Sequence, residues 1–567
     1  MAPLLRFCTA FLGVIASSSA ELDADEPGVS MLQADSRGVR RSASNPLLVA
    51  ALTDGMLDYL ADSDAPYTAE EVGHIAANMA ANFFPNGTLV AAPSKVSSNH
   101  SNDYFFMWQR DAALTMRTLL RITVAAPGGK FAAIIGDVGS PIRQQLVRYA
   151  ELLPKLWNQA DPNTMCPPWY KDQPGWCPPL GEPKYFVNGS VYDQPWGRPQ
   201  NDGPALAAVY LSDLLNAILD DGGNSTGDFT AELLRGGGTE GILYDALDFV
   251  NTWYNEGSVG PWEEIYGNHF FVAEVQRKAL LEGARVAKRM GQDGDAQWPK
   301  SGYKNWVYSA GNLRGASESF FSEETLVVKA TVGRQQGLAG PKCLSSERVL
   351  LETGEVWPTM VEFPCELDVN TVIAANFVFN SKAAGDSVIP PYDARLLRTT
   401  KKLIQSMAPN YQVNAVDRAK GLAGLLVGRY PGDTYCGYGE CGKEDYGNPW
   451  FLTTHALAEQ MYWSAWAICS GMDVAGHVQP LMDELRKESR MGSRVSPMEL
   501  GDAIMKNAKA HAIMPGVHMS EQIKMRGPDV GKQAGVPDLT WSYASALDAL
   551  LARHEATTAC RRSLPWR

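Results

Sequence analysis

Histidine is scarce, with eight in 567 residues, and none sits at a spacing that would hold a metal. No paired-cysteine pattern accompanies them, so the sequence predicts no metal centre. A net charge of −13 without a cluster of Lys or Arg leaves no footprint for a phosphate backbone, which argues against nucleic acid as a partner. Past the first twenty residues no apolar run reaches the roughly 18 residues a membrane span needs, so no membrane partner is expected. A G-x-S-x-G elbow is absent. The run Gly437-Tyr438-Gly439-Glu440-Cys441-Gly442 matches a dinucleotide fingerprint, but no strand pattern precedes it. The overlapping near-match to a phosphate loop has Glu444 where Ser or Thr is required, so no cofactor is expected. Alternating strand patterns are few, and the best, Val349 to Val361, predicts a hairpin or an extended excursion.

What is present is ordinary globular composition, 45% apolar and 20% charged. Residues 1–20 read as a secretory signal: Arg6 supplies the charge, Phe7 to Ile15 the apolar stretch, and Ser18-Ser19-Ala20 the cleavage site. Residues 21–44 are polar and aperiodic and include the dibasic pair Arg40-Arg41. N-x-Ser/Thr sequons at Asn86, Asn99, Asn188 and Asn224 suit a secreted protein or one in the lumen of a vacuolar compartment. Cys166/Cys177, Cys343/Cys365 and Cys436/Cys441 are near enough in sequence to close local loops, whereas Cys469 lies in an apolar run and is expected to be a buried free thiol.

From Pro46 to Arg553 helical periodicity dominates. Amphipathic helices are predicted over Asp111–Ile122, Ile142–Trp157, Asp202–Leu219, Phe270–Met290, Asn448–Ile468 and Asp538–Arg553. No compositional break divides this stretch, so residues 45–567 read as one all-α domain, expected to be a monomer. Too few residues follow Arg553 for a further domain. Residues with chemical potential fall repeatedly in the loop before a helix, an arrangement suited to a toroid of helices whose loops form a pocket at one end.

Two acidic sites stand out among the 15 tryptophans: Trp262-Glu263-Glu264 and Glu521-Gln522. Paired carboxyl groups are the minimum for cleaving a glycosidic bond, one protonating the leaving oxygen while the other attacks or activates water. Far apart in sequence, they can meet only through the fold.

Five segments, in order, resemble the glucoamylases of glycoside hydrolase family 15. They are Tyr104-Phe-Phe-Met-Trp108-Gln-Arg110-Asp111; Trp196-Gly-Arg198-Pro-Gln200-Asn-Asp202; Trp262-Glu263-Glu264; Arg429-Tyr430-Pro-Gly-Asp433-Thr-Tyr435 with Asn448-Pro-Trp450; and Ser520-Glu521-Gln522 with Trp541-Ser-Tyr. The resemblance implies an (α/α)6 barrel that releases β-glucose, with inversion, from the non-reducing ends of α-1,4-glucans. It implies Glu263 as general acid and Glu521 as general base. Arg110, Asp111 and Arg429 would hold the terminal glucose. Trp108, Trp196, Trp450 and Trp541, with Tyr104, would wall the pocket, and Glu264 would meet the next sugar. Trp262, Phe270 and Phe271 are expected to give Glu263 apolar surroundings, which favour a protonated carboxyl. Relatives that cleave trehalose or α-1,6 links, or that bind glucan without catalysis, are the alternatives. No separate starch-binding domain is expected after Arg553, so attack on granular starch should be weak.

The sequence also departs from the family pattern. Gly260 stands where many members carry Asp, so Gly260→Asp is expected to help keep Glu263 protonated. Gly535 stands where some members offer Ser to the base, so Gly535→Ser is expected to favour the Glu521 anion. Gly432 replaces a commonly acidic residue, and Cys436 to Tyr446 looks like an insertion beside the pocket.

Overall fold

A computed structural model describes residues 46–53, 55–95, 103–159, 179–194, 196–220, 241–291, 302–332, 343–350, 356–363, 366–437 and 447–563. The expected signal and polar segments, Arg40-Arg41, the sequons Asn99 and Asn224, and most of the expected insertion lie outside these residues. So does at least one member of each locally paired cysteine couple.

Helices α1 (Gln109–Val124), α2 (Asp202–Asp220), α3 (Phe270–Arg289), α4 (Asn370–Val378), α5 (Phe451–Cys469) and α6 (Thr540–Ser563) form an inner ring. Each packs on the next, and α6 closes back on α1. Further helices lie outside them: Ile242–Trp253 and Tyr303–Ser319 pack on α3, Pro497–Ala510 on α5, and Ala69–Ala80 on α6. The result is the expected (α/α)6 barrel. An inner helix has neighbours on every side, so it is buried all round, and even Thr453, Thr454, His455, Glu459, Gln460 and Ser464 of α5 are covered. The outer helix Ala394–Met407 instead keeps one apolar face inward and leaves residues such as Arg398 exposed.

The predicted helices are present, with ends moved by local chemistry. Ser140 caps the helix Pro141–Trp157, with Pro141 in the first turn where its missing N–H costs nothing. Ser496 and Glu499 make a reciprocal capping box before Pro497–Ala510. Helix α5 starts later than expected because Trp450 is extended and bridges Gln522. Helix α6 starts at Thr540 because Asp538 is left-handed, with φ 54°.

Short strands brace the loops: β1 (Met107–Trp108) with β2 (Lys184–Tyr185), β3 (Ser258–Val259) with β4 (Tyr266–His269) and β5 (Thr331–Val332), and later β8 (Gln522–Ile523) with β9 (Gln533–Ala534). Between them, β6 (Cys343–Leu350) and β7 (Val356–Phe363) form the expected hairpin, longer than predicted.

The free thiol expected at Cys469 is wrong. Cys469 is disulfide-bonded to Cys560, with Cα atoms 4.7 Å apart. Because ring closure lays α5 beside α6, their last turns meet across 91 residues of sequence, a pairing that local spacing could not reveal. Cys436 is also disulfide-bonded. Among the described residues no helix is long and apolar enough to cross a membrane.

Candidate active site

The N-terminal ends of the inner helices point to one end of the barrel, where the loops before them enclose a cavity of about 550 Å³. Glu263, Glu264, Asp111 and Glu521 line it, with Arg110 and Arg429. Its aromatic walls include Tyr104, Trp108, Trp196, Trp450 and Trp541. Every residue assigned to a site from the sequence is therefore in this one place.

Glu263 sits at the tip of the β3–β4 hairpin in a left-handed conformation, φ 64°, which non-glycine residues rarely adopt. Gly260 N donates to Ile265 O at 3.0 Å and Glu263 N to Gly260 O at 2.9 Å, closing the loop. Three neighbours donate to Glu263 Oε1: Trp108 Nε1 at 2.9 Å, Trp196 Nε1 at 2.9 Å and Gln200 Nε2 at 2.8 Å. The Arg110 guanidinium stands 3.9 Å from the same oxygen. With Oε1 so engaged, a proton on this carboxyl resides on Oε2.

These contacts correct the expected apolar setting. The Trp262 indole N–H donates to both Asp368 oxygens, at 3.0 and 2.9 Å, and its ring packs on Trp450 and Trp541. Phe270 and Phe271 are buried in the core at the start of α3. Trp108 and Trp196, expected as walls, are also the donors that hold Glu263.

Glu521 is 1% exposed. It accepts from Tyr104 Oη at 3.0 Å on Oε1, and from Tyr435 Oη at 3.4 Å on Oε1 and 3.1 Å on Oε2. Burial pushes its carboxyl up to about 8, outweighing the two phenols that favour the anion. A serine at Gly535 would be strained and would displace Glu521. The φ there is 72°, and an added Cβ would stand 2.3 Å from Glu521 Oε2. The second hydroxyl comes instead from Tyr435, part of a recognised motif but not assigned a role from sequence.

The sequence profile of the glycosyl hydrolases of family 15 matches residues 73–551. The chain belongs to this family. This family 15 chain is 29% identical to a glucoamylase of Blastobotrys adeninivorans over 502 residues, 83% of this chain and 67% of that one. It is 29% identical to a probable glucoamylase of Schizosaccharomyces pombe over 475 residues, 82% and 85% of the two chains. The glucoamylase structure from Saccharomycopsis fibuligera superposes with a TM-score of 0.60 at 22% identity, covering 90% of this chain and 95% of that one. That from Hormoconis resinae superposes with a TM-score of 0.61 at 23% identity, covering 88% and 75%.

The rest of the family 15 site is an ionic frame. Arg110 Nη1 donates to Gln200 Oε1 at 2.8 Å and to Asp202 Oδ2 at 3.3 Å, and its Nε lies 3.5 Å from Asp111 Oδ2. Burial raises the Asp111 carboxyl to about 6 despite that guanidinium. Arg429 forks onto Asp433, with Nε to Oδ2 at 2.7 Å and Nη2 to Oδ1 at 2.6 Å, and pairs with Glu264 Oε1 at 2.8 Å. Glu264 Oε2 accepts from Tyr430 Oη at 2.5 Å, so Glu264 is fixed from two sides. Asp368, just before α4, accepts from Asn370 N at 2.8 Å, and burial raises its carboxyl to about 7.

Lys184 was not singled out from sequence. Its ammonium lies 3.7 to 4.5 Å from the ring centroids of Trp196, Phe106, Tyr192 and Trp108. Burial pushes it down to about 8, against the attraction of Glu263. No spacing signals this cage, because its rings come from separate segments. Among the described residues no group of acidic, histidine or cysteine side chains could hold a metal ion.

Proposed function

We propose that this enzyme is an inverting, exo-acting glucan 1,4-α-glucosidase that releases β-glucose from non-reducing ends of α-1,4-glucans. Family membership and the glucoamylases similar to it support glucan hydrolysis. The observation that carries the assignment of roles is that one cavity holds two differently treated carboxyls, Glu263 under N–H donors and Glu521 buried under two phenols.

The terminal glucose is held by Arg110, Asp111 and Arg429, whose own partners keep them from swinging. Rigid placement of this kind orients the reacting bond. Glu263 delivers the proton on Oε2 to the glycosidic oxygen, and the bond from that oxygen to the anomeric carbon breaks. Glu521 takes a proton from a water that forms the new bond on the opposite face, so an α-link yields β-glucose; such a geometry calls for carboxyls roughly 6.5–9.5 Å apart. The donors on Glu263 Oε1 then stabilise the carboxylate left behind. The exposed Asn86 and Asn188 sequons and the Cys469–Cys560 bond suit a secreted or vacuolar-lumen location.

The test is the anomer released from maltotriose, followed by NMR, with trehalose as comparator. β-Glucose appearing first supports the proposal; α-glucose first, or faster cleavage of trehalose, overturns it. Glu263→Gln and Glu521→Gln should each fold and lose about 10²- to 10⁴-fold in kcat. Near-normal turnover in either removes that residue from its role.

A further inference from the structure

Gly260 opens the loop that carries Glu263, yet its backbone lies outside the left-handed region, so its own conformation does not call for glycine. The neighbour does. A Cβ at position 260 would stand 2.5 Å from His269 Cε1, 2.8 Å from Nδ1 and 2.9 Å from Nε2. His269 is 4% exposed and cannot readily give way. The aspartate expected to tune Glu263 from position 260 is thus excluded by an imidazole.

That imidazole is held on both edges. Nε2 lies 3.1 Å from Ser258 O and 3.0 Å from Ile265 O. Carbonyls only accept, so the network assigns the proton to Nε2. Nδ1 then accepts from the hydroxyl of Thr331, at 2.9 Å. Thr331 is the cross-strand partner of His269 in the β4–β5 pair, so the ring is set by sheet register. Ser258 and Ile265 bracket the loop bearing Glu263, and one N–H bridges them.

We propose that His269 is a positioning residue: its imidazole clips the two ends of the acid loop together and holds Glu263 beneath Trp108, Trp196 and Gln200, and Gly260 is the space the ring requires. This rests on the reading of Glu263 as the general acid. The hairpin's own ladder is short, with only Ser258 opposite Gly267 and Val259 opposite Tyr266. Without the clip, only the Gly260–Ile265 and Glu263–Gly260 backbone bonds close the loop behind its left-handed tip. The groups that hold the terminal glucose, Arg110, Asp111 and Arg429, lie on other loops, and Glu264 on this one is fixed from outside by Arg429 and Tyr430, so the effect falls on turnover more than on binding.

The experiment compares kcat, KM for maltotriose and Tm among His269→Ala, His269→Gln, His269→Ser, Gly260→Ala and the double variant Gly260→Ala/His269→Ser. Displacing the acid by about 1 Å costs up to about 100-fold, so His269→Ala is expected to lower kcat about 10- to 100-fold. KM should stay within about threefold, as for an interaction made only in the transition state. His269→Gln, whose amide nitrogen carries two N–H donors, restores most of kcat. Gly260→Ala is harmful beside His269 but changes kcat less than about twofold in the His269→Ser background, the mark of two coupled neighbours. Normal kcat in His269→Ala, a loss confined to Tm, failure of rescue by Gln, or an equal Gly260→Ala effect in both backgrounds overturns the proposal. If His269→Ala does not fold, the Gln variant and the Gly260 comparison still decide it. Near-normal kcat in Glu263→Gln refutes the acid assignment instead, a result separable from an inert His269.

Discussion

Replacing Tyr435 by Phe removes one of the two hydroxyls that donate to Glu521. The ring keeps its contacts with Trp450, 5.9 Å between centroids, and with the Arg429 guanidinium, 5.2 Å away. The lost bond donates to a carboxylate, an interaction worth about 1.5–3 kcal/mol. Its reach is divided between two oxygens at 3.4 and 3.1 Å, which places it at the weak end of that range. Tyr104, whose single O–H already donates to Glu521 Oε1 at 3.0 Å, keeps that bond. With about 1.4 kcal/mol per pKa unit, the Glu521 carboxyl should rise by about one unit. A base works as the anion, so the acidic limb of kcat/KM against pH moves upward by the same amount. On that limb activity falls about tenfold, while the plateau above it is little changed. Measuring kcat/KM on maltotriose from about pH 4 to about pH 11, far enough to pass the shifted limb, tests this directly. A limb that stays in place or moves down, in a variant with unchanged Tm, refutes the account of how Glu521 is held.

Three further outcomes are expected. Arg429→Lys should cost stability as well as kcat/KM, because an ammonium cannot match the fork onto buried Asp433; a loss of roughly 1–3 kcal/mol is expected, and an unchanged urea midpoint would contradict it. Thermal stability should fall as pH rises from about 5 to 8: burial raises Asp111 to about 6, Asp368 to about 7 and Glu521 to about 8 in the fold, so the folded chain holds protons that the unfolded chain has released. A Tm that is flat or rises over that window would oppose the raised values. Cys560→Ser should lower stability by about 2–4 kcal/mol by freeing a long loop in the unfolded chain, yet leave kcat intact, since Cys469 lies about 27 Å along α5 from the cavity end at 1.5 Å per residue; a matching fall in kcat would show the two ends to be coupled.

The sequence alone determined the helices and the location of the chemistry. Periods near 3.6 mark buried helical faces whatever the partner, and the motifs before α1, α2, α3, α5 and α6 are local strings. Carboxyls, guanidiniums and indoles placed just ahead of a helix must lie at one end of a barrel whose inner helices run the same way. What only the tertiary structure decided are the pairings between segments. The indoles of Trp108 and Trp196 converge on one oxygen of Glu263, Lys184 is caged by four rings, Tyr435 supplies the hydroxyl that Gly535 cannot, and His269 fills the room left by Gly260. Cys469 meets Cys560 because the ring closes. Each such contact depends on distances between atoms far apart along the chain. Spacing in sequence encodes which residues share a face of one element, but not which side chains from different elements meet once their loops have packed.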